Sequence, residues 1–312
     1  MIVARPVVAD PGPVLDVVEP EPLDLAILRA VAFADVFDHA PTIRELQRHL
    51  TVAASAGEVE RRLTGSPILA ERLVHRAGHV VTAGRESLVA RRSGRARTSA
   101  RLWPRARLLG RLIGRLPYVR MVAVTGSLAV DAPGDDADID LFVVVADGRL
   151  WLARALVVAI VRLAAPAGIR LCPNYLLAER AMELDEDDRT YGTAREIAQM
   201  VPLAGLGTYE RFLARNAWYR TFQPNHEPVR APRDDRPGLV RRVVERIGRT
   251  RPFDRIERWE MRRKVRRLRA ATRSPEARYD GQRCKGHVEG HAERAAAAVE
   301  ARFRELLGGT VR

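Results

Sequence analysis

The sequence predicts an α+β protein with several domains. Three observations support this: helical spacing that ends in a short hairpin, two apolar strand-like runs near the middle, and mostly helical spacing in the last third. With 312 residues, 46% hydrophobic and 29% charged, the chain is long enough for several cores, and wholesale disorder is excluded. The predicted parts are an irregular tail (1–20), a helical module (21–95), a mixed-sheet core (96–205) and an α-helical C-terminal domain (206–312).

The composition also predicts a cytoplasmic protein without a membrane partner. The most apolar stretch, 150–165, is interrupted by Arg154 and Arg162, and the N-terminus lacks the apolar core of a signal peptide. Only Cys172 and Cys284 are present, too few for a disulfide framework.

Residues 21–95 have the element order of a winged helix. After a first amphipathic helix, Thr42 and Glu45 carry the signature of a capping box at the start of a second. A third helix follows Ser55, and a hairpin is predicted over 73–82. The third helix balances acids with arginines, so contact with DNA has weak support and contact with protein is the alternative.

The formal charge of +14 is divided into two blocks. Residues 91–120 carry ten arginines and no acid, and 231–312 have a net charge of +11, whereas 121–230 have a net charge of −4. Lysine occurs only twice, so part of the total reflects arginine-rich codon usage. If the fold brings the blocks around the acidic centre, they would attract a polyanion such as a triphosphate or RNA.

One group of residues in this centre points to chemistry. The apolar run 118–124 leads into Gly126 and Ser127, and Asp138 and Asp140 then begin a second apolar run. Carboxylates at i and i+2 on a strand point to the same face, and such hard oxygen ligands hold divalent cations. Gly126 allows close backbone approach, and the Ser127 hydroxyl can hold phosphate oxygens beside a helix start. A metal next to a phosphate cradle is the equipment for nucleotidyl transfer.

Gly126-Ser127 and Asp138-Ile139-Asp140, at this spacing, resemble the signature of the DNA polymerase β-type nucleotidyltransferase superfamily. The resemblance implies a minimal mixed sheet flanked by helices, and transfer of a nucleoside monophosphate from a nucleoside triphosphate to a hydroxyl of a small molecule, protein or RNA. It implies Mg²⁺ (or Mn²⁺) as cofactor, Asp138 and Asp140 as catalytic metal ligands, and Ser127 as a contact to the β- and γ-phosphates. The chain also resembles bacterial proteins that join a winged helix to such a domain.

The sequence departs from this superfamily at one position. Members usually bring a third carboxylate from a later strand, as a metal ligand and often as the base. The matching run, 169–177, contains no acid, and Asn174 is expected in that place, where it offers a neutral oxygen but cannot take a proton. Two functions stay open: a magnesium-dependent nucleotidyltransferase, or a weak or inactive nucleotide-binding regulator that uses its winged helix to contact DNA or protein.

Two basic residues are further candidates for nucleotide binding. Arg195, on a helix predicted over 190–200, could meet a triphosphate or pair with nearby acids. Lys285 is one of only two lysines and could reach a triphosphate from the C-terminal part. The sequence does not specify the acceptor, the base preference or the oligomeric state.

Overall fold

The computed structural model describes residues 20–134, 136–229, 238–272, 277–286 and 291–308; residues 1–19 of the predicted tail lie outside the described residues. The protein is α+β with a mixed sheet, which confirms the predicted class.

The N-terminal module combines four helices with a two-stranded antiparallel sheet. Its elements are α1 (Pro22–Val36), α2 (Ile43–Arg48), α3 (Ala56–Gly65), α4 (Pro67–Arg72), β1 (Leu73–Arg76) and β2 (His79–Thr82). The predicted capping box is present, since Thr42 Oγ1 accepts the Glu45 N–H at 3.2 Å and Glu45 Oε2 accepts the Thr42 N–H at 2.7 Å. The helices and hairpin predicted for this module are present, whereas α4 was not predicted.

The central part builds most of a larger sheet. Its elements are α5 (Ser87–Gly114), β3 (Val119–Thr125), α6 (Gly126–Ala129), β4 (Ile139–Val145), α7 (Leu150–Ala164), β5 (Leu171–Ala178), α8 (Tyr191–Gln199), β6 (Val201–Ala204) and α9 (Leu206–Arg215). The C-terminal part adds α10 (Leu239–Ile247), α11 (Arg251–Ala271), β7 (Arg278–Tyr279), β8 (Arg283–Lys285) and α12 (His291–Gly308).

The larger sheet has the strand order β6-β3-β4-β5-β8-β7. Among the described strands of this sheet only β4 and β5 pair in parallel, and α7 provides the crossover between them. Because strand residues alternate between faces, Val122, Val124 and Leu141 belong to one core with residues of α5, α7 and α11. Ala123 and Phe142 belong to a second core, on the opposite face, with residues of α8 and α9.

Helix α7 and the turn that follows it, Leu150–Ala167, form a segment apolar and long enough to cross a membrane, the one such segment in the described part of the chain. Core helices of globular proteins pass the same test. Here Trp151, Ala153 and Val157 are buried, and Trp151 Nε1 donates a hydrogen bond to the Asp280 carbonyl at 2.9 Å. One side of the segment therefore packs against the core, but only 28% of its residues are buried, and Leu163 is exposed.

The structure differs from the α-helical domain predicted over 206–312. Strand β8 extends the central sheet through β5, and α11 packs against α7. Helix α12 packs against α1, where Phe303 and Leu306 join the core of the N-terminal module. Strands of two and three residues carry too little periodicity to be recognised in a sequence.

Candidate functional site

The side chains of Asp138, Asp140 and Cys172 meet at one end of the sheet. Thr125, the last residue of β3, pairs with Asp140 near the start of β4, and Asp140 pairs with Cys172 near the start of β5. One oxygen of Asp138, one oxygen of Asp140 and the Cys172 sulfur all lie within 4.8 Å of one another. Asp140 has the same strand parity as Phe142, so the cluster lies on the face covered by α8 and α9.

The turn after β3 brings the backbone directly against Asp140. Gly126 has a φ of 66°, in the left-handed region that side chains disfavour. A Cβ atom at this position would overlap Asp140 Oδ2, so the close approach requires glycine. Ser127 follows, half-buried, in the four-residue helix α6, which contacts both β4 and α8. The predicted pair of Gly126 and Ser127 is therefore placed beside the carboxylates.

The electrostatics of the cluster reflect crowded negative charge. Burial, the neighbouring Asp138 carboxylate and Glu196 raise the pKa of Asp140 to about 7, although a hydrogen bond with Cys172 works in the other direction. Burial and the same two aspartates raise the pKa of the Cys172 thiol to about 12. A divalent cation would relieve this repulsion between the carboxylates.

The residue of β5 that lies opposite Asp140 is Cys172, and not Asn174 as the sequence led us to expect. A bulge interrupts the pairing of β4 and β5: Leu141 pairs with Pro173, the next residue of β4 pairs with Tyr175, and Asn174 has no partner in this register. The Asn174 carbonyl instead accepts the Gly286 N–H at 3.3 Å. Cys172, directly opposite Asp140, therefore supplies the side chain from β5.

Arg195 lies in the interface between α8 and the N-terminal module. Its guanidinium carbon is 3.9 Å from the centre of the Phe33 ring, and Nη1 donates to the Tyr191 hydroxyl at 3.3 Å. The side chain is buried, which lowers its pKa. The next residue, Glu196, is exposed and is the α8 side chain whose charge acts on Asp140. The predicted contact of Arg195 with a triphosphate stays a prediction.

Lys285 lies on β8, where it pairs with Tyr175. Its Nζ is 3.5 Å from Asp188 Oδ1 and 5.8 Å from the centre of the Tyr175 ring. Tyr175 packs edge-on against Phe142, so Lys285 belongs to the face of the sheet that carries Asp140. Lys285 thus contacts Asp188 and Tyr175, and its role in nucleotide binding stays a prediction.

A cavity of about 630 Å³ opens at the opposite end of the sheet. The start of β3 and the ends of β4 and β5 line it, together with residues of α10. Its charged groups form ion pairs, with Arg120 2.8 Å from Glu245 and Arg149 2.6 Å from Asp254. This cavity is separate from the aspartate pair, which remains the candidate catalytic site.

Comparisons with protein-family models, curated proteins and solved structures found no match. The functional assignment therefore depends on the site's own geometry.

Proposed function

We propose that the protein is a metal-dependent nucleotidyltransferase of the DNA polymerase β type. It would transfer a nucleoside monophosphate from a nucleoside triphosphate to a hydroxyl of a small molecule, protein or RNA. The observation that carries the proposal is the close contact between the Gly126 backbone and the Asp140 carboxylate. Asp138 lies next to Asp140, and Ser127 follows Gly126 in the chain. That arrangement puts a backbone turn suited to phosphates next to a carboxylate pair suited to a cation.

The topology around the site supports the same proposal. Antiparallel β3 and β4 are joined through α6, and β4 is joined to parallel β5 through α7. This is a small mixed sheet flanked by helices, as the superfamily resemblance implies. The order of helices and hairpin in the N-terminal module supports a winged helix as its companion.

The donor set fits a divalent cation. Asp138 and Asp140 would hold Mg²⁺ or Mn²⁺, and Cys172 adds a thiol that suits the softer Mn²⁺ better than Mg²⁺. Bound there, the ion would neutralise charge on the triphosphate as the leaving group departs.

The chain's own residues can account for the remaining steps. The Gly126 turn and the Ser127 hydroxyl would orient the triphosphate. The acceptor oxygen attacks the α-phosphorus, the bond between the α-phosphorus and its bridging oxygen breaks, and pyrophosphate leaves with the electron pair. Glu196, an exposed carboxylate on α8, the helix that contacts α6, is the candidate to accept the acceptor's proton.

A transfer assay tests the proposal. The full chain is incubated with Mg²⁺ or Mn²⁺, each α-labelled nucleoside triphosphate and cell extract as the acceptor source. Label should appear on an acceptor and disappear in the variant that combines Asp138→Ala with Asp140→Ala. Absence of transfer with every nucleotide and metal would contradict the enzyme proposal.

A nucleotide-binding regulator is the second candidate. Cys172 in place of a third carboxylate favours it, because a neutral thiol offers weaker charge compensation to two bound cations. Nucleotide binding that needs Asp138 and Asp140, without transfer under any metal, would support this regulator.

A further inference from the structure

Helix α10 contacts the body of the protein through its polar side. Arg241 donates to the Gly114 carbonyl at 3.0 Å and to the Val119 carbonyl, and Glu245 accepts the Tyr118 N–H at 2.8 Å. The aliphatic residues of the helix are instead exposed, by 38% to 78%. They are Leu239, Val240, Val243, Val244 and Ile247.

The exposed aliphatic residues form one continuous side of α10. Their spacing of one, three, one and three residues places them within less than half a turn of the helix circumference. A soluble helix normally turns such a side inward, towards the core. An exposed apolar strip bordered by polar residues is typical of a surface that binds a protein, a membrane or a ligand.

The charges of the segment that carries this strip are mostly positive. Residues 238–272 contain thirteen basic and four acidic side chains, and each of the four acids is engaged with the protein itself. Glu245 pairs with Arg120 and Arg241, Asp254 with Arg149, and Glu260 with Arg263, while Glu257 accepts the backbone N–H groups of Trp151 and Leu152. Arg242 and Arg246, on the aliphatic helix itself, are exposed.

The following helix continues this composition. Trp259 of α11 is 57% exposed, and Ile256 is also exposed. Exposed arginines alternate with them at Arg255, Arg258 and Arg262. Tryptophan with aliphatic and cationic neighbours is typical of surfaces that lie in the headgroup region of a bilayer.

We propose that the exposed aliphatic side of α10 is a surface that binds anionic phospholipid bilayers. The aliphatic side of α10 would enter the boundary between headgroups and acyl chains, and Arg242 and Arg246 would contact lipid phosphates. A second copy would bring two positive surfaces together, which like-charge repulsion opposes. The phosphates of a nucleic acid would pair with the arginines, but the aliphatic side chains would stay exposed to water. This proposal replaces, at this surface, the sequence-based expectation of no membrane partner.

Vesicle flotation with the full chain tests the proposal. One set of vesicles contains phosphatidylcholine alone and the other contains equal parts of phosphatidylcholine and phosphatidylglycerol. We expect flotation with the anionic vesicles only, and its weakening at high ionic strength. Combining Val240→Asp with Val243→Asp should reduce binding about tenfold or more, and combining Arg242→Glu with Arg246→Glu should also reduce it.

Phe37→Asp is the matched control, because Phe37 is 48% exposed at the end of α1 and lies outside α7, α10 and α11. It should float as the unmodified protein does, and circular dichroism melting checks that every variant is folded. Equal flotation of the Val240/Val243 variant and the unmodified protein, or no flotation with either vesicle, would overturn the proposal. The proposal would also fail if the unmodified protein bound no vesicles but formed a dimer, and the Val240/Val243 variant did not. The strip would then bind a second copy of the chain.

Discussion

The backbone of Gly126 lies so close to the carboxylate of Asp140 that a side chain at position 126 would have no room. They belong to different segments, the turn after β3 and the start of β4, which the pairing of Thr125 with Asp140 brings together. The contact fixes the position of the turn relative to the carboxylate pair. A phosphate cradle and a metal site are useful together only when their separation is fixed in this way.

Replacement of Gly126 by alanine should therefore damage the site more than its backbone conformation alone explains. An alanine with a left-handed backbone conformation lowers the free energy of unfolding by about 1 kcal/mol. Overlap of its Cβ with Asp140 would lower it further. Gly168→Ala is the matched control, because Gly168 has a φ of 68° and open space around its Cβ position. Urea unfolding and nucleotide titration of both variants provide the measurement. Equal loss of stability and of nucleotide affinity in the two variants would contradict a role for the contact.

If Cys172 is a ligand of the proposed metal, its chemistry should determine which metal supports transfer best. Cys172→Asp places a carboxylate opposite Asp140, where the register now holds a thiol. We expect the transfer rate with Mg²⁺ to rise on the order of tenfold, and the ratio of the Mn²⁺ rate to the Mg²⁺ rate to fall. Cys172→Ser, which removes the sulfur without adding charge, is the control. An unchanged ratio in the aspartate variant would place Cys172 outside the metal site.

Glu196 should affect the chemical step rather than nucleotide binding. Glu196→Gln removes the candidate proton acceptor, and loss of general base catalysis costs about 10²- to 10⁴-fold in kcat. Glu183→Gln is the matched control, since Glu183 is exposed and lies 3.7 Å from Arg189. Single-turnover transfer measures the rate, and a binding titration measures the affinity for the nucleotide. If the two variants transfer label at the same rate, Glu196 is not the base.

The sequence was most informative where structure depends on neighbouring residues. Thr42 and Glu45 cap α2 across three residues, and Asp138 and Asp140 share a face because of the two-residue period of a strand. The role of Cys172 could not be predicted in this way. It depends on the parallel register of β4 and β5 and on the bulge that removes Asn174 from the pairing. Both are long-range properties of the sheet.

Arg195 and Glu196 illustrate a second limit. Consecutive residues of a helix point about 100° apart, so a helix between a sheet and another module directs one towards each. Only the position of α1 shows that Arg195 stacks on Phe33. Likewise, only the position of the sheet shows that the charge of Glu196 acts on Asp140. The C-terminal part was misjudged for a related reason, because β8 acquires its strand structure by pairing with β5.

Acid should weaken the attachment of α10 through Glu245. Burial alone would raise the pKa of Glu245, but hydrogen bonds from Arg120, the Tyr118 N–H and Arg241 outweigh it and lower the pKa to about 2. A carboxyl group with a lowered folded-state pKa stabilises the fold fully above its unfolded value of 4.5, and this contribution is lost as the pH falls towards 2. Because the ion pair is partly exposed and water screens it, its contribution is on the order of 1–2 kcal/mol.

Glu245→Gln should consequently lower the free energy of unfolding at pH 7, and the difference from the unmodified protein should shrink as the pH falls from about 4.5 towards 2. Urea unfolding of both proteins over this pH range gives the two curves. Glu227→Gln, at an exposed acid outside α10, is the control, and its difference should stay small throughout. A Glu245→Gln difference that is constant with pH would mean that the side chain acts through packing, because a charge-based contribution must vanish once the carboxylate is protonated.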